Sequence, residues 1–224
     1  CMSSQQTLSK RLLAIAQCVP EGCRVIDIGT DHAWLPIHLL RNKVVYQAIG
    51  VDQAEAPLQQ AKRHRNKANI SSEQLQLYQS NGLNTIPVRN GDVVTIAGMG
   101  GRSIIDIVSH PITKECSLLI LQPNRNAAEL RHFVSANGWR IDNEKIVFEN
   151  NQFYPIICVS KGALTLTDKQ CWLGPILQRE RPPVYINWLQ AQLNVLQTVE
   201  QQAHGKMPES KRLALQWVQE ELSC

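Results

Sequence analysis

Two acidic residues, Asp27 and Asp52, each end a short apolar run, and polar residues follow the first of them. A carboxylate in such a place can hold an ammonium group or accept hydrogen bonds from the hydroxyls of a ribose. Asp31 and His32 follow Asp27 closely and add groups that can orient a base or accept a proton. These residue types and their spacing indicate a binding site for a nucleoside-containing cofactor.

The residues around Asp27 predict a strand, a tight turn and a helix. Residues 25–28 are mostly β-branched and apolar, Gly29 opens a polar turn, and an amphipathic helical pattern begins near Ala33. This order is typical of cofactor-binding α/β domains. The glycine lets the backbone pass close to a ligand, and the start of the helix presents free N–H groups to it.

The rest of residues 8–162 alternates between predicted strands and helices. Further strands are predicted at 47–52, 75–79, 92–97, 118–121, 139–149 and 153–160, and helices at 8–18, 54–69, 103–109 and 127–136. The last two strands form a predicted antiparallel hairpin. This alternation predicts an α/β fold with a doubly wound, mainly parallel sheet.

Polar or glycine-containing segments follow five of the predicted strands. They are residues 27–29, Asp52, 80–82, 98–101 and 122–124. Ligands in doubly wound sheets bind outside the carboxyl ends of the strands. We therefore expect the five segments to form a single cleft.

The composition changes after Gly162. Three prolines interrupt a linker-like stretch in which a short helix is predicted at 168–178. Apolar residues at helical spacing then predict helices at 184–204 and 209–222, a coiled-coil-like hairpin. The sequence thus predicts one domain at residues 1–162 and a helical domain at residues 163–224.

The composition limits the location and the chemistry. No apolar run approaches the roughly 18 residues of a membrane-spanning helix, and the N-terminal segment lacks the apolar core of a secretory signal. We therefore expect a cytoplasmic protein without membrane contact. The seven cysteines form no CxxC pair or zinc-type spacing, which predicts reduced thiols and no metal site. The net charge of +4 is compatible with an anionic partner such as RNA.

Two cofactor classes suit such a fold, nicotinamide dinucleotides and S-adenosylmethionine (SAM). A dinucleotide needs closely spaced glycines beside its pyrophosphate, where this chain has Asp31 and His32. SAM has no phosphate, and its ammonium group and ribose diol suit Asp27 and Asp52. The position of Asp52 fits both cofactors and does not discriminate between them. The preference for SAM comes from Asp31 and His32 in the turn after the first strand.

Five segments, in order, resemble the bacterial tRNA (adenine-N1)-methyltransferase family TrmK: DIGTDHAWLP, VDQAEAPLQQA, SNGL, DVVTIAGMGG and LILQPN. The resemblance covers about residues 8–162 and, more loosely, the helical tail. It implies a Rossmann-like class I SAM-dependent methyltransferase with a C-terminal coiled-coil domain. It also implies methylation of N1 of the adenine at position 22 of tRNA, in the D-arm region.

The resemblance also implies which residues bind the cofactor. The turn after the first strand would line the methionine end of SAM, the second acid would bind the ribose, SNGL would contact the adenine, and IAGMGG would separate SAM from the target base. The implied cofactor residues are Asp27, Gly29, Thr30, Asp52, Gln53, Asn81, Gly82, Leu83, Ala97, Gly98, Met99, Gly100 and Gly101. The chain departs from the family at Ser80, where a glycine is usual, and at Ala56-Pro57, where the family has Gly-Pro.

Methyl transfer to N1 is an in-line displacement that chiefly needs proximity and alignment, which can supply ~7–11 kcal/mol. N1 carries a lone pair in the ring plane, so a base helps only modestly. Asp31 and His32 are the candidate catalytic residues, to orient the adenine or to take a proton from the product. The alternatives are that Asp31 caps the following helix and that His32 is a hydrogen-bonded structural group, with Met99 as apolar wall.

The expected partner is tRNA, whose target adenine must be unpaired or extruded because N1 lies on its Watson–Crick edge. Candidate phosphate contacts are Lys10, Arg11, Arg63, Arg65, Arg125, Arg131, Lys206, Lys211 and Arg212. A SAM-dependent methyltransferase of a small molecule or protein stays open, as does a non-catalytic SAM- or RNA-binding module. The oligomeric state, monomer or weak dimer, also stays open.

Overall fold

Strands and helices alternate along residues 8–203 and 205–224, the part of the chain that the computed structural model describes. The strands are β1 (Cys23–Ile28), β2 (Val45–Asp52), β3 (Leu75–Gln79), β4 (Val93–Met99), β5 (Leu118–Pro123), β6 (Trp139–Glu149) and β7 (Gln152–Lys161). Helix α1 (Lys10–Ala16) precedes β1, and the helices between the strands are α2 (Trp34–Arg41), α3 (Glu55–Lys67), α4 (Gly101–Val108) and α5 (Ala127–Ala136), with a 3-10 helix at Pro111–Glu115.

The strands form one sheet in the order β3-β2-β1-β4-β5-β7-β6. β1 pairs in parallel with β2 and β4, and β7 runs antiparallel to β5 and β6. The strand order reverses between β1 and β4, which is where ligands bind in such sheets. In register, Asp27 lies between Gly50 of β2 and Thr95 of β4. The predicted doubly wound, mainly parallel α/β fold with a terminal antiparallel hairpin is confirmed.

Both faces of the central strands are buried. Val25 packs in a cluster with residues of α1, α2 and α3, and its neighbour Ile26 packs in a second cluster with residues of α4 and α5. Successive side chains of a strand point to opposite faces, so β1 contributes to both. This two-sided packing explains the nearly continuous apolar runs in the parallel strands, and it fixes the strand ends that carry the polar segments.

After β7 the described residues form four helices: α6 (Asp168–Leu173), α7 (Pro175–Glu180), α8 (Pro183–Gln202) and α9 (Glu209–Ser223). The prediction of one helix at 168–178 is wrong, because Gly174, at φ 93°, ends α6 and Pro175 begins α7. α8 and α9 pack against each other around a third apolar cluster that includes Leu189 and Val218. Ile146 of β6 belongs to the same cluster, so these helices also pack on the sheet.

A buried ion pair joins α5, β6 and the helices that follow. Arg131 donates from Nε to Glu144 Oε1 at 2.6 Å and from Nη1 to the carbonyl of Cys171 at 3.0 Å. The other oxygen of Glu144 accepts from the N–H of Ile176 at 2.9 Å. Arg131 is 2% exposed, so its predicted contact with a tRNA phosphate is wrong. The linker-like interpretation of this stretch is also wrong, since the segment is packed, whereas the domain boundary at residue 162 stays a prediction.

Candidate functional site

The turn between β1 and α2 needs backbone conformations that favour glycine. Gly29 has φ +72°, Asp31 φ +50° and Ala33 φ +58°. Ala33 is the N-cap of α2 and no side chain caps the helix, so the interpretation of Asp31 as a helix cap is wrong. The Asp31 side chain is 64% exposed.

Asp27 is a buried carboxyl at the end of β1. Its residue is 5% exposed, and Oδ1 accepts a hydrogen bond of 2.6 Å from the hydroxyl of Thr95. Burial raises the pKa of Asp27 to about 6, against a smaller lowering by the Thr95 hydrogen bond. An adjacent ammonium group would favour the ionised form of this carboxyl and would be held by it.

Asp52 joins the ends of β1 and β2. Its Oδ2 accepts from the N–H of Asp31 at 3.2 Å, and its Oδ1 accepts from the N–H of Ala54 at 3.0 Å. A carboxylate offers about four acceptor positions, so two of them remain for ribose hydroxyls. The carbonyl of Gln53, the next residue, accepts from the side chain of Gln79 at 3.1 Å and ties the β2 end to β3.

The segment after β3 lies beside Asp52. The N–H of Ser80 donates to the carbonyl of Asp52 at 3.0 Å, and Leu83 is buried while Asn81 is exposed. Gly82 has φ +64° and packs near Ile107. The Ser80 hydroxyl is buried and has no hydrogen-bond partner within the described residues. Buried polar groups are normally paired, so this one fits a ligand with polar edges, such as the adenine of SAM.

The glycine-rich segment at the end of β4 is held by the end of β5. The Asn124 side chain donates to the carbonyl of Gly98 at 2.7 Å, and its N–H donates to the carbonyl of Met99 at 2.7 Å. The buried Gln122 accepts from the N–H of Gly98 at 3.0 Å and from Arg11 Nη1 at 2.8 Å. The segment at the end of β5 therefore fixes the loop that runs from Ala97 to Gly101.

Three of the nine basic residues predicted to contact tRNA phosphates are buried or bonded to other parts of the protein. Arg131 is buried, Arg11 bonds Gln122 and lies 5.1 Å over the ring of Tyr154, and Arg65 donates to the carbonyl of Leu75 at 3.1 Å. The six exposed residues of that set are Lys10, Arg63, Arg125, Lys206, Lys211 and Arg212.

His32 lies in a cluster of aromatic rings that the sequence motifs do not reveal. Its Nε2 is 3.5 Å from Asp31 Oδ1, and its carbonyl lies 3.1 Å from Nδ1 of His64. Trp34 stacks on His64 with ring centroids 4.0 Å apart. Nδ1 of His32 is buried without a partner in the described chain, so one ring nitrogen is free to bind a ligand, and the structural interpretation of His32 stays a prediction. In the sequence, only the predicted helix that contains His64 could have suggested that His64 lies near His32 and Trp34.

The structure brings the predicted cofactor segments together along the carboxyl edge of the sheet. Asp52 connects the ends of β1, β2 and β3 through its side chain and carbonyl. Met99 lies against Gly29 and connects β1 to β4, and Asn124 connects β4 to β5. The segments thus meet at one edge of the sheet, where the Asp27 carboxyl, the free acceptor positions of Asp52 and the unpartnered Ser80 hydroxyl suit the polar groups of SAM.

The described residues hold no group of three or more His, Cys, Asp or Glu side chains arranged to bind a metal ion. None of the helices in the described ranges has the length and hydrophobicity required to cross a bilayer.

Comparison with known proteins identifies the family. A family model described as tRNA (adenine(22)-N(1))-methyltransferase, TrmK, matches residues 25–222. The tRNA (adenine(22)-N(1))-methyltransferase of Bacillus subtilis (strain 168) is 30% identical over 204 residues, which are 87% of this chain and 85% of that protein.

Solved structures agree along nearly the whole chain. Sp1610 of Streptococcus pneumoniae, in complex with S-adenosyl-L-methionine, is 33% identical with a TM-score of 0.85 and covers 96% of this chain and 100% of its own. The B. subtilis TrmK structure is 27% identical with a TM-score of 0.78, covering 97% of this chain and 96% of its own. The matches extend from the cofactor edge of the sheet through the terminal helices, and the chain therefore belongs to the TrmK family of tRNA (adenine(22)-N(1))-methyltransferases.

Proposed function

We propose that this chain transfers the methyl group of SAM to N1 of the adenine at position 22 of tRNA. The observation that carries the proposal is the convergence of five loops at one edge of the sheet, with Asp52 and Asn124 as the joining side chains. The family and its SAM-bound relative support the same cofactor.

The convergence suggests how SAM is held. Asp27, Gly29 and Thr30 would receive the methionine end, with the Asp27 carboxylate near the ammonium group. Asp52, beside Gln53, would accept hydrogen bonds from the ribose. The adenine would lie against the segment of Asn81, Gly82 and Leu83, near the unpartnered Ser80 hydroxyl. When bound, SAM supplies a methyl group made electrophilic by its sulfonium.

The chain's own contribution is mainly alignment. The rigid loop from Ala97 to Gly101 would separate the cofactor from the adenine and hold N1 in line with the methyl group. N1 attacks with its ring-plane lone pair as the carbon–sulfur bond breaks, which leaves a cationic adenine. Asp31, with its exposed carboxylate, and His32 would orient this base or accept the proton that its amino group releases.

The tRNA would approach over the positively charged residues that remain exposed around the site and on the terminal helices, such as Arg125 and Lys211. We propose a cytoplasmic location, where bacterial tRNA is modified, and a monomer or weak dimer. The helices beyond residue 162 would form a separate domain that contributes to tRNA docking.

Radiolabelled SAM and tRNA that lacks the modification test the proposal. We expect label in wild-type tRNA, N1-methyladenosine on nucleoside analysis, and none when position 22 is changed to guanosine. Label that enters a protein or small molecule instead would favour the other methyltransferase class. SAM binding without turnover on any tRNA would favour a non-catalytic module, and either result would refute the proposal.

A further inference from the structure

A cavity of about 340 Å³ lies between α5, β7 and the helices α6 and α8. Phe153, Trp172 and Trp188 line it and are only partly buried. The rings of Trp172 and Trp188 have centroids 5.3 Å apart and are tilted by 39°. Aromatic side chains around a space of this size provide stacking faces for an unpaired nucleobase.

This aromatic cavity borders the glycine-rich segment beside the proposed methyl-transfer site. Asn124 and Arg125 form part of its wall. The N–H of Asn124 donates to the carbonyl of Met99 at 2.7 Å, and the carbonyl of Arg125 accepts from the N–H of Gly101 at 2.9 Å. The backbone of Asn124 and Arg125 therefore borders both the aromatic cavity and the proposed methyl-transfer site. A polynucleotide bound at the methyl-transfer site would lie next to the cavity.

Arg125 also lines a separate polar cavity with Gly100, Arg102 and Ser103, on the side of the glycine-rich segment. A Cβ built on Gly100 would lie 3.3 Å from Arg125 Nε, so the guanidinium stem runs along the loop. Arg102 is engaged with Glu129 at 3.0 Å, whereas Arg125 makes no ion pair within the described residues. An exposed guanidinium between two cavities is placed to contact a phosphodiester.

We propose that the aromatic cavity binds a second unpaired nucleobase of the substrate tRNA, from a nucleotide next to the methylated adenosine, and that Arg125 contacts the phosphate between the two. This inference rests on the proposed function, because it assumes that tRNA is the substrate. It adds a stacking site formed jointly by the sheet and the terminal helices.

Filling the cavity tests the inference without removing core side chains. Gln192→Phe on α8 and Ala128→Phe on α5 place a ring in the cavity from opposite walls. Gln190→Phe, at an exposed position on α8 outside the cavity lining, is the matched control. We expect each filling variant to raise the Kd for unmodified tRNA by about 5- to 150-fold, the range of one base stacked on an aromatic ring. The control should bind tRNA, and all three should bind SAM, as the wild type does.

Abasic tRNAs identify the occupant. Replacing a nucleoside adjacent to the target adenosine with an abasic ribose should weaken binding to the wild type and to Gln190→Phe, and should have no further effect on Gln192→Phe. An unchanged Kd in both filling variants would overturn the inference, as would an abasic effect of equal size in every variant.

The outcome for the cavity can be separated from the outcome for the proposed function. A wild type that methylates position 22 while the filling variants bind tRNA normally refutes only the stacking site. If the wild type binds tRNA but does not methylate it, the proposed function is refuted. The Kd values of the filling variants and the control then still decide whether the cavity binds a nucleobase. A wild type that binds no tRNA refutes both.

Discussion

Met99 lies directly over Gly29, so that a Cβ built on Gly29 would be 2.5 Å from Met99 Cε. The contact joins the turn after β1 to the last residue of β4, on either side of the point where the strand order reverses. A thioether side chain is flexible, so it can move away from an added methyl group. Such a movement would change the position of Met99 at the edge where SAM is proposed to bind.

Gly29→Ala is therefore expected to weaken SAM binding more than it weakens the fold. Gly22→Ala is the matched control, because Gly22 has the same φ of +72° and no atom within 4 Å of an added Cβ. Each variant should lose about 1–2 kcal/mol of stability from the left-handed backbone conformation. Calorimetry should show weaker SAM binding for Gly29→Ala alone, and equal affinities in the two variants would contradict the role of the Met99 contact.

The buried carboxyl of Asp27 predicts an unusual pH dependence of stability. Its pKa is raised by burial from 3.8 to about 6, so the folded state keeps a proton that the unfolded state has lost. The resulting stabilisation is fully present below pH 3.8 and is lost as the pH rises through about 6. At 1.36 kcal/mol per pKa unit it amounts to about 3 kcal/mol. Urea unfolding from pH 4 to pH 7 should show this decline in the wild type, and Asp27→Asn should remove it.

The same carboxyl should give SAM binding the opposite pH dependence. If the Asp27 carboxylate holds the ammonium group, SAM affinity rises with pH through about 6, because only the ionised form binds it. Asp27→Ala should abolish binding with the fold intact, and Asp27→Asn should bind weakly at every pH. Titration calorimetry at pH 5 and pH 7.5 checks this, and unchanged affinity in Asp27→Ala would remove Asp27 from the site.

The Asp31 side chain can be tested for orientation and proton acceptance separately. Asn adopts the φ of +50° readily and keeps an acceptor oxygen, whereas Asp31→Gly removes the side chain without strain. If Asp31 only orients the adenine, kcat should be nearly normal in Asp31→Asn and reduced in Asp31→Gly. If Asp31 accepts a proton, kcat should fall in both variants. The fall should not exceed roughly a hundredfold, the low end of the range for general base catalysis, because N1 attacks without prior deprotonation. Single-turnover methylation at saturating SAM distinguishes them, and wild-type kcat in both variants would exclude Asp31 from catalysis.

Local patterns predicted the sheet well because its central strands are buried on both faces. The bounds of β3, α5 and β6 match the predictions, since each has clear periodicity and a turn residue at its end. The helix at 168–178 was extended too far because apolar residues keep helical spacing across Gly174 and Pro175. The 3-10 helix Pro111–Glu115 was missed because five residues are too few to show a period.

The position of the candidate site was predictable from topology, because parallel strands bring their carboxyl ends to one edge. The contacts within it were not. That Asp52 accepts from two backbone N–H groups, or that the Ser80 hydroxyl is buried without a partner, depends on loops that only the folded chain brings together. The burial of Arg131 depends on Glu144 and on helices far along the chain, so nothing in the local sequence separated it from exposed Arg125.

That pair of arginines gives the final prediction, since they lie on or beside the same helix and were both expected to contact tRNA. Arg131→Ala leaves Glu144 buried without its cation and should destabilise the protein by about 3–5 kcal/mol. Arg125→Ala removes an exposed side chain and should leave stability unchanged while weakening tRNA binding in a salt-dependent manner. Chemical unfolding and tRNA binding at two salt concentrations measure both effects. Equal stability of the two variants would contradict the structural role of the Arg131–Glu144 pair, and unaltered tRNA affinity in Arg125→Ala would remove Arg125 from the docking surface.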